Sequence, residues 1–192
     1  MNILDKTLKG LDGIALRLVW FGGALLILAA FIVTVDVILR KLFNISMAGS
    51  DELSGYAFGI ATAASLTYAL LHRSNIRVDA LYQHLPVWLR ATLDILGHIL
   101  LVSFLAYVTW RGFLMVADTW ANQSRSITPL RTPLAIPQTA WLAGLLLCVV
   151  TGTVMTLSAL ISFFKRDWLA IQQTIGIKSL DEQIEEEAEL PS

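Results

Sequence analysis

Three scarcities shape what this 192-residue chain can be. It has one cysteine, Cys148, which excludes an intrachain disulfide and any cysteine-rich metal site. It has three histidines, of which His98 alone falls inside a long apolar run, so a haem held between two facing histidines at depth has no candidate pair. Charge is the third: 15% of residues are charged against 56% apolar, where soluble chains carry roughly 25% and 45–50%. So few charges cannot cover the surface of a soluble domain this size, which excludes a freely soluble enzyme or a nucleic-acid binder. No GxSxG, HExxH, CxxC, P-loop or EF-hand pattern occurs.

What is present is long uncharged runs, and they make the chain an all-α integral membrane protein. Crossing about 30 Å of hydrocarbon takes about 20 apolar residues. Leu18–Val35 is the first run; at 18 residues it exceeds the core of a cleavable signal peptide and reads as a retained span. Leu53–Leu71 is the second. Ile95–Trp110 is the third, continued beyond Arg111 by Gly112–Ala117, and Thr132–Phe164 holds the fourth, with Pro137 suited to its first turn. The expected layout is four spans, at about 18–39, 52–72, 91–117 and 137–164. Residues 1–17 precede this 18–168 membrane domain, and an acidic tail, 169–192, follows as a mobile segment. Trp20, Trp88, Trp110, Trp120, Trp141 and Trp168 all fall near proposed ends, as in an interfacial aromatic belt. Arg17, Arg40, Arg111 and Lys165 can reach headgroups from such positions.

Basic residues set the orientation. Four spans place Lys6, Lys9, Arg17, Arg73, Arg77, Arg90, Lys165, Arg166 and Lys178 on one side, and Arg40, Lys41, Arg111, Arg125 and Arg131 on the other. The richer side is expected to be cytoplasmic, with both termini on it. The chain before Ser179, with fourteen basic and nine acidic residues, carries a net charge of +5, and the six carboxylates after it count little in that rule. Between spans two and three, Ile76, Ala80, Leu81 and Leu85 recur at helical spacing. That fits a short interfacial helix or, equally, an ordinary polar connection before Pro86.

Polar residues near the spans have local explanations. Asp36 and Arg40, four apart, read as an ion pair that neutralises a costly carboxylate. Asp94 and His98 read as a polar pair at the membrane edge rather than a proton relay. Arg111 and Asp118, seven apart, share a face near an end. Ser50 is an expected N-cap, with Asp51 and Glu52 favoured in the first turn by the helix dipole, and docking on that acidic pair is compatible with the same placement. Small residues recur every four positions: Gly55, Gly59 and Ala63 on span two, and Ala140, Gly144, Cys148, Gly152 and Thr156 on span four. Such faces let backbones approach closely in lipid. Periodicity leaves open whether the neighbour is another span or another protein. The four runs show no evident duplication and spans two and three lack proline, unlike a self-sufficient transporter.

Arg40 with Phe43-Asn44, then Ser50-Asp51-Glu52-Leu53-Ser54, then Arg73, Ile76-Arg77-Val78-Asp79 and Leu85-Pro86 form an ordered pattern. It resembles the small membrane subunit of tripartite ATP-independent periplasmic (TRAP) transporters, the DctQ-like family. Gly49 and Asn75 stand where that family commonly has an aromatic and a histidine. The resemblance implies an accessory or scaffold subunit, without catalysis or a substrate site, in the bacterial inner membrane. It would brace a large multi-span transport subunit that takes up organic acids such as C4-dicarboxylates or sialic acid. A periplasmic substrate-binding protein would deliver the substrate. It implies no cofactor in this chain, with sodium ions held in the large subunit. Arg40, Asp51 and Glu52 match the outer part of the pattern, and Arg73, Arg77 and Asp79 the inner part, as contacts to partner or lipid headgroups. The alternatives from other classes are a four-span anchor of a redox or other enzyme complex, and a small channel formed by oligomerisation.

Overall fold

A computed structural model of the chain describes residues 3–74 and 85–176. They form five helices: α1 (Ile3–Phe43), α2 (Ser50–Leu71), α3 (Val87–Ala121), α4 (Ala135–Phe164) and α5 (Trp168–Ile175). The only extended pairing among the described residues is an isolated bridge between Arg125 and Pro133. α1, α3 and α4 are long and apolar enough to cross a membrane. α2 is less apolar, because its residues are small or hydroxylated where it packs: Ala61, Ala63, Ala64 and Thr67 are buried. The expected interfacial segment, with Arg77 and Asp79, and the acidic run from Asp181 lie outside the described residues.

The helices stand in a row. α1 packs along α2, α2 against α4, and α4 against α3, while α5 crosses the ends of α3 and α4. Backbone proximity sets the register. A Cβ added at Gly22 of α1 would lie 3.2 Å from Ala61 Cα of α2. One added at Gly144 of α4 would lie 2.8 Å from the Ala63 carbonyl carbon, and one at Gly152 would lie 2.6 Å from Val102 of α3 and 3.3 Å from Leu70 of α2. α2 and α4 therefore run in the same direction, with α1 and α3 antiparallel to them on either flank.

This resolves the small-residue ridge. Gly144, Cys148 and Gly152 are buried against the chain's own α2 and α3, whereas Ala140, at the start of the ridge, is exposed. On α2 only Ala63 takes part in that contact. Gly55 faces open space, and Gly59 meets only Trp141, at 4.0 Å.

The helices run beyond the expected spans. α1 has 41 residues, about 60 Å, roughly twice the hydrocarbon thickness, so Ile3–Arg17 continues the first span as helix rather than preceding it as a separate segment. α3 runs on to Ala121, which moves Arg111 and Trp110 well inside the helix and away from its end. Residues 169–175, expected in the tail, belong to α5. The Asp167 carboxylate accepts from Ala170 N–H at its start, and Ile171 and Ile175 are buried with Leu70, Ala91, Ile95 and Met155. α2, α3 and α4 each stop in the same way. Arg73, Gln123 and Arg166 adopt left-handed backbone, and the following N–H groups bond back to Ala69, Thr119 and Ser162 carbonyls at 3.0–3.1 Å.

The glycine contacts generate a prediction. Gly144→Leu and Gly152→Leu should each destabilise the isolated chain by about 1–3 kcal/mol or more, since overpacking must separate helices here. Thermal unfolding of the purified chain in detergent checks this; melting like wild type would show that these approaches do not hold the row together.

Candidate docking site at the Asp36–Glu52 end

Two carboxylates organise the end of the row where α1 meets α2, termed the outer end. Asp36 is 1% exposed although it lies on a lipid-facing helix. It accepts from Arg40, from Met47 N–H, and from Ser50 Oγ at 2.9 Å, with Ser46 Oγ at 3.5 Å. One carboxylate thus ties the 44–49 turn and the start of α2 to the end of α1. The expected ion pair is present, but half of the Arg40 side chain is exposed, so the enclosed bonds to Met47 and Ser50 hold most of the closure. Ser50 is not the N-cap. That position is Gly49, and the Ser50 hydroxyl is spent on Asp36.

Glu52 does the corresponding work on the other loop. It accepts from Tyr56 Oη at 2.6 Å and from Thr128 Oγ1, pinning the 122–134 connection over α2. Leu130 of the same connection sits on Gly49, where φ is 111° and a Cβ would fall 2.2 Å from Leu130 Cδ1, so only glycine fits both the turn and the contact. Asp51 is exposed, and its carboxylate has no partner among the described residues. Of the two acidic residues, Glu52 is structural and Asp51 is available.

Beneath this platform, α2 and α4 diverge. The gap is an apolar cleft of about 200 Å³ lined by Gly55, Tyr56, Gly59, Met115, Gln138 and Trp141 among others. Tyr56 joins it to the platform through Glu52. Trp141 points inward rather than into an interfacial belt, its ring 3.0 Å from where a Gly112 Cβ would lie. Gln138 Oε1 is enclosed there without a hydrogen-bond partner. The cleft leaves Gly55 uncovered and Gly59 met only by Trp141, while Ala140, outside its lining, is exposed.

The remaining candidates lie elsewhere. Arg73 is at the other end of α2 and donates to Gln172 O at 3.0 Å, fastening α5. His98 is 2% exposed with Nε2 3.2 Å from Gly152 O, and Asp94 is 1% exposed. Arg111 and Asp118 are not joined; Asp118 accepts from Asn122 Nδ2 at 2.9 Å. Among the described residues no three His, Cys, Asp or Glu side chains converge as a metal site. The sequence reading missed Tyr56, Thr128 and the cleft residue Gln138, and placed Trp141 in an interfacial belt rather than in the cleft. Tyr56 had a local signal, four residues after Glu52; the other three depend on contacts distant in the chain.

The Asp36 carboxylate should outweigh its exposed partner Arg40 in its contribution to stability. Asp36→Ala should cost about 2–3 kcal/mol through lost hydrogen bonds to a charged group. Arg40→Ala should cost under about 1 kcal/mol, as exposed pairs do. Melting curves of the two variants check this order; equal costs would place the closure in the ion pair.

Compared with curated proteins and with solved structures, the chain matches none. A family profile, that of the DctQ component of tripartite ATP-independent periplasmic transporters, matches residues 29–162. That stretch contains the Asp36 closure, the Glu52 pin, the cleft and the whole α2–α4–α3 contact. The chain belongs to the DctQ component family of TRAP transporters, a family of multi-pass membrane transporter components rather than enzymes.

Proposed function

We propose that this chain is the accessory subunit that braces the large transport subunit of a sodium-coupled organic-acid importer. It crosses the inner membrane four times, with α2 as the second span and both termini in the cytoplasm. The observation that carries the bracing role is the open cleft: the small-residue face of α2 continues past its contact with α4, where Gly59 touches only Trp141 and Gly55 meets nothing within 4 Å. In hydrocarbon, such a face gains stability by close contact with another helix rather than by contact with lipid tails. The platform above it, with Asp51 free, would face the periplasm and the substrate-binding protein. Substrate and sodium are handled by the large subunit, in keeping with polar side chains here that serve the chain's own backbone and loops.

Reconstitution tests this reading. The chain and its large subunit, in liposomes with a sodium gradient and loaded binding protein, should take up radiolabelled C4-dicarboxylate or sialic acid, and the chain alone should take up neither. Uptake by the chain alone, or full uptake by the large subunit without it, would overturn the accessory role. Reporters fused after Lys178 and within 73–90 should behave as cytoplasmic, and those near Asn44 and Arg125 as periplasmic.

The cleft itself has a separate expectation. Gly55→Leu should leave the melting of the isolated chain unchanged, because a Cβ there meets nothing within 4 Å. It should weaken capture of the large subunit by about tenfold, as 1.4 kcal/mol of misfit would. Co-purification from detergent measures it, and wild-type capture would remove the cleft from the interface.

A further inference from the structure

Arg111 lies at mid-depth on the surface of the row. The Gly112 Cβ position is 3.4 Å from Leu142 Cδ1, and Gly144, half a turn further along α4, meets Ala63 of α2. Arg111 is therefore level with Ala63, the middle of the uncharged run Leu53–Leu71. At about 1.5 Å per residue, that level is roughly 12–15 Å from either end of the run. The nearest charge on the other described helices is Arg17 of α1, about one turn towards the far end by the Gly22–Ala61 contact and of the same sign.

The guanidinium is not satisfied within the chain. Arg111 is exposed, and among the described residues it makes no hydrogen bond, ion pair or ring contact. Asp118, the acidic residue on its own face, is engaged with Asn122. A fully extended arginine stem reaches roughly 7 Å, about half the distance to the headgroups. A second copy of this chain offers no match. Its described carboxylates are buried (Asp36, Asp94), set at helix ends (Asp51, Glu52, Asp118, Asp167), or, for Asp12 in the third turn of α1, beside His72 at the far end of α2. Met115, four residues on and on the same face, lines the cleft, so one covering helix would span both features.

We infer that Arg111 pairs with a membrane-embedded Asp or Glu on a helix of the large transport subunit, seated along the α3 face that runs from Arg111 to the cleft. This rests on the accessory-subunit reading. A guanidinium uncompensated at the bilayer centre is costly, and a carboxylate on a partner helix removes that cost only in the complex. The contact would make assembly selective as well as tight, because a helix lacking the acid would leave the charge buried and unpaired.

The test uses the co-expressed pair. Arg111→Leu should lower capture of the large subunit at least about tenfold while the isolated chain melts at or above the wild-type temperature. Arg111→Lys should keep most of the capture. Among neutralising Asp→Asn and Glu→Gln substitutions in the large subunit's spans, one should reproduce the loss, and exchanging the two charges should restore assembly. Wild-type capture by Arg111→Leu would overturn the pairing and assign the guanidinium to water and lipid. Loss of melting temperature in the isolated Arg111→Leu chain would overturn it too, by showing a role within the fold. No capture even by the wild-type chain would instead remove the accessory-subunit reading, and the pairing with it.

Discussion

Helices surrounded by hydrocarbon gain nothing by hiding apolar side chains from one another, so this fold depends on how closely backbones can approach. The decisive approach is at Gly144 and Ala63, where a methyl group on the glycine would already collide with the facing carbonyl carbon. Gly22 against Ala61 is nearly as close on the other side of α2, at 3.2 Å from the added methyl position to Ala61 Cα. α2 is therefore the shared wall, and its composition follows from that position. Alanine, serine and threonine suit two neighbours at short range, at the expense of overall apolarity. The largest fully buried side chains are few and mostly small or polar, as expected when contact rather than volume holds the helices.

Polar side chains within the row work mainly for the backbone. Thr109, Thr119, Thr153 and Thr156 each donate to the carbonyl four residues earlier, and His98 approaches the Gly152 carbonyl that Thr156 also serves. Thr67 and Thr151 are fully buried, and the Thr67 hydroxyl lies against the Cys148 thiol. The outer end reverses this economy. There Asp36 and Glu52 close turns that local propensity would leave open, and each carboxylate holds one connection against α2.

Much of this was legible in the sequence. The long helices follow from uncharged runs, the Asp36–Arg40 pair from its spacing, and the importance of the span-four ridge from its five-fold repetition. What was not legible has physical reasons. Periodicity identifies a face but not what covers it, so the ridge could not be assigned to the interior or to a partner. Charge marks where lipid ends, not where a helix ends, which is why Lys6, Lys9 and Arg17 suggested a boundary that α1 ignores. The same confusion placed Arg111 near an end and cut α5 from the membrane domain, although Trp168, Ile171 and Ile175 carry its helical spacing. Ser50 has the right residue type for a cap, but a tertiary acceptor 14 residues away competed successfully for its hydroxyl. The Glu52–Thr128 bond joins residues 76 apart, beyond any local pattern.

The burial of Cys148 has a practical corollary. It is the chain's only cysteine and is 1% exposed, wedged between α2 and α4. Thiol reagents act on accessible thiolates, so the native fold is chemically silent toward them. A single cysteine introduced on any exposed helix face would become the sole reactive handle, and the natural thiol need not be removed from a contact too tight to alter without consequence. Reactivity at Cys148 itself would then report that the row has come apart.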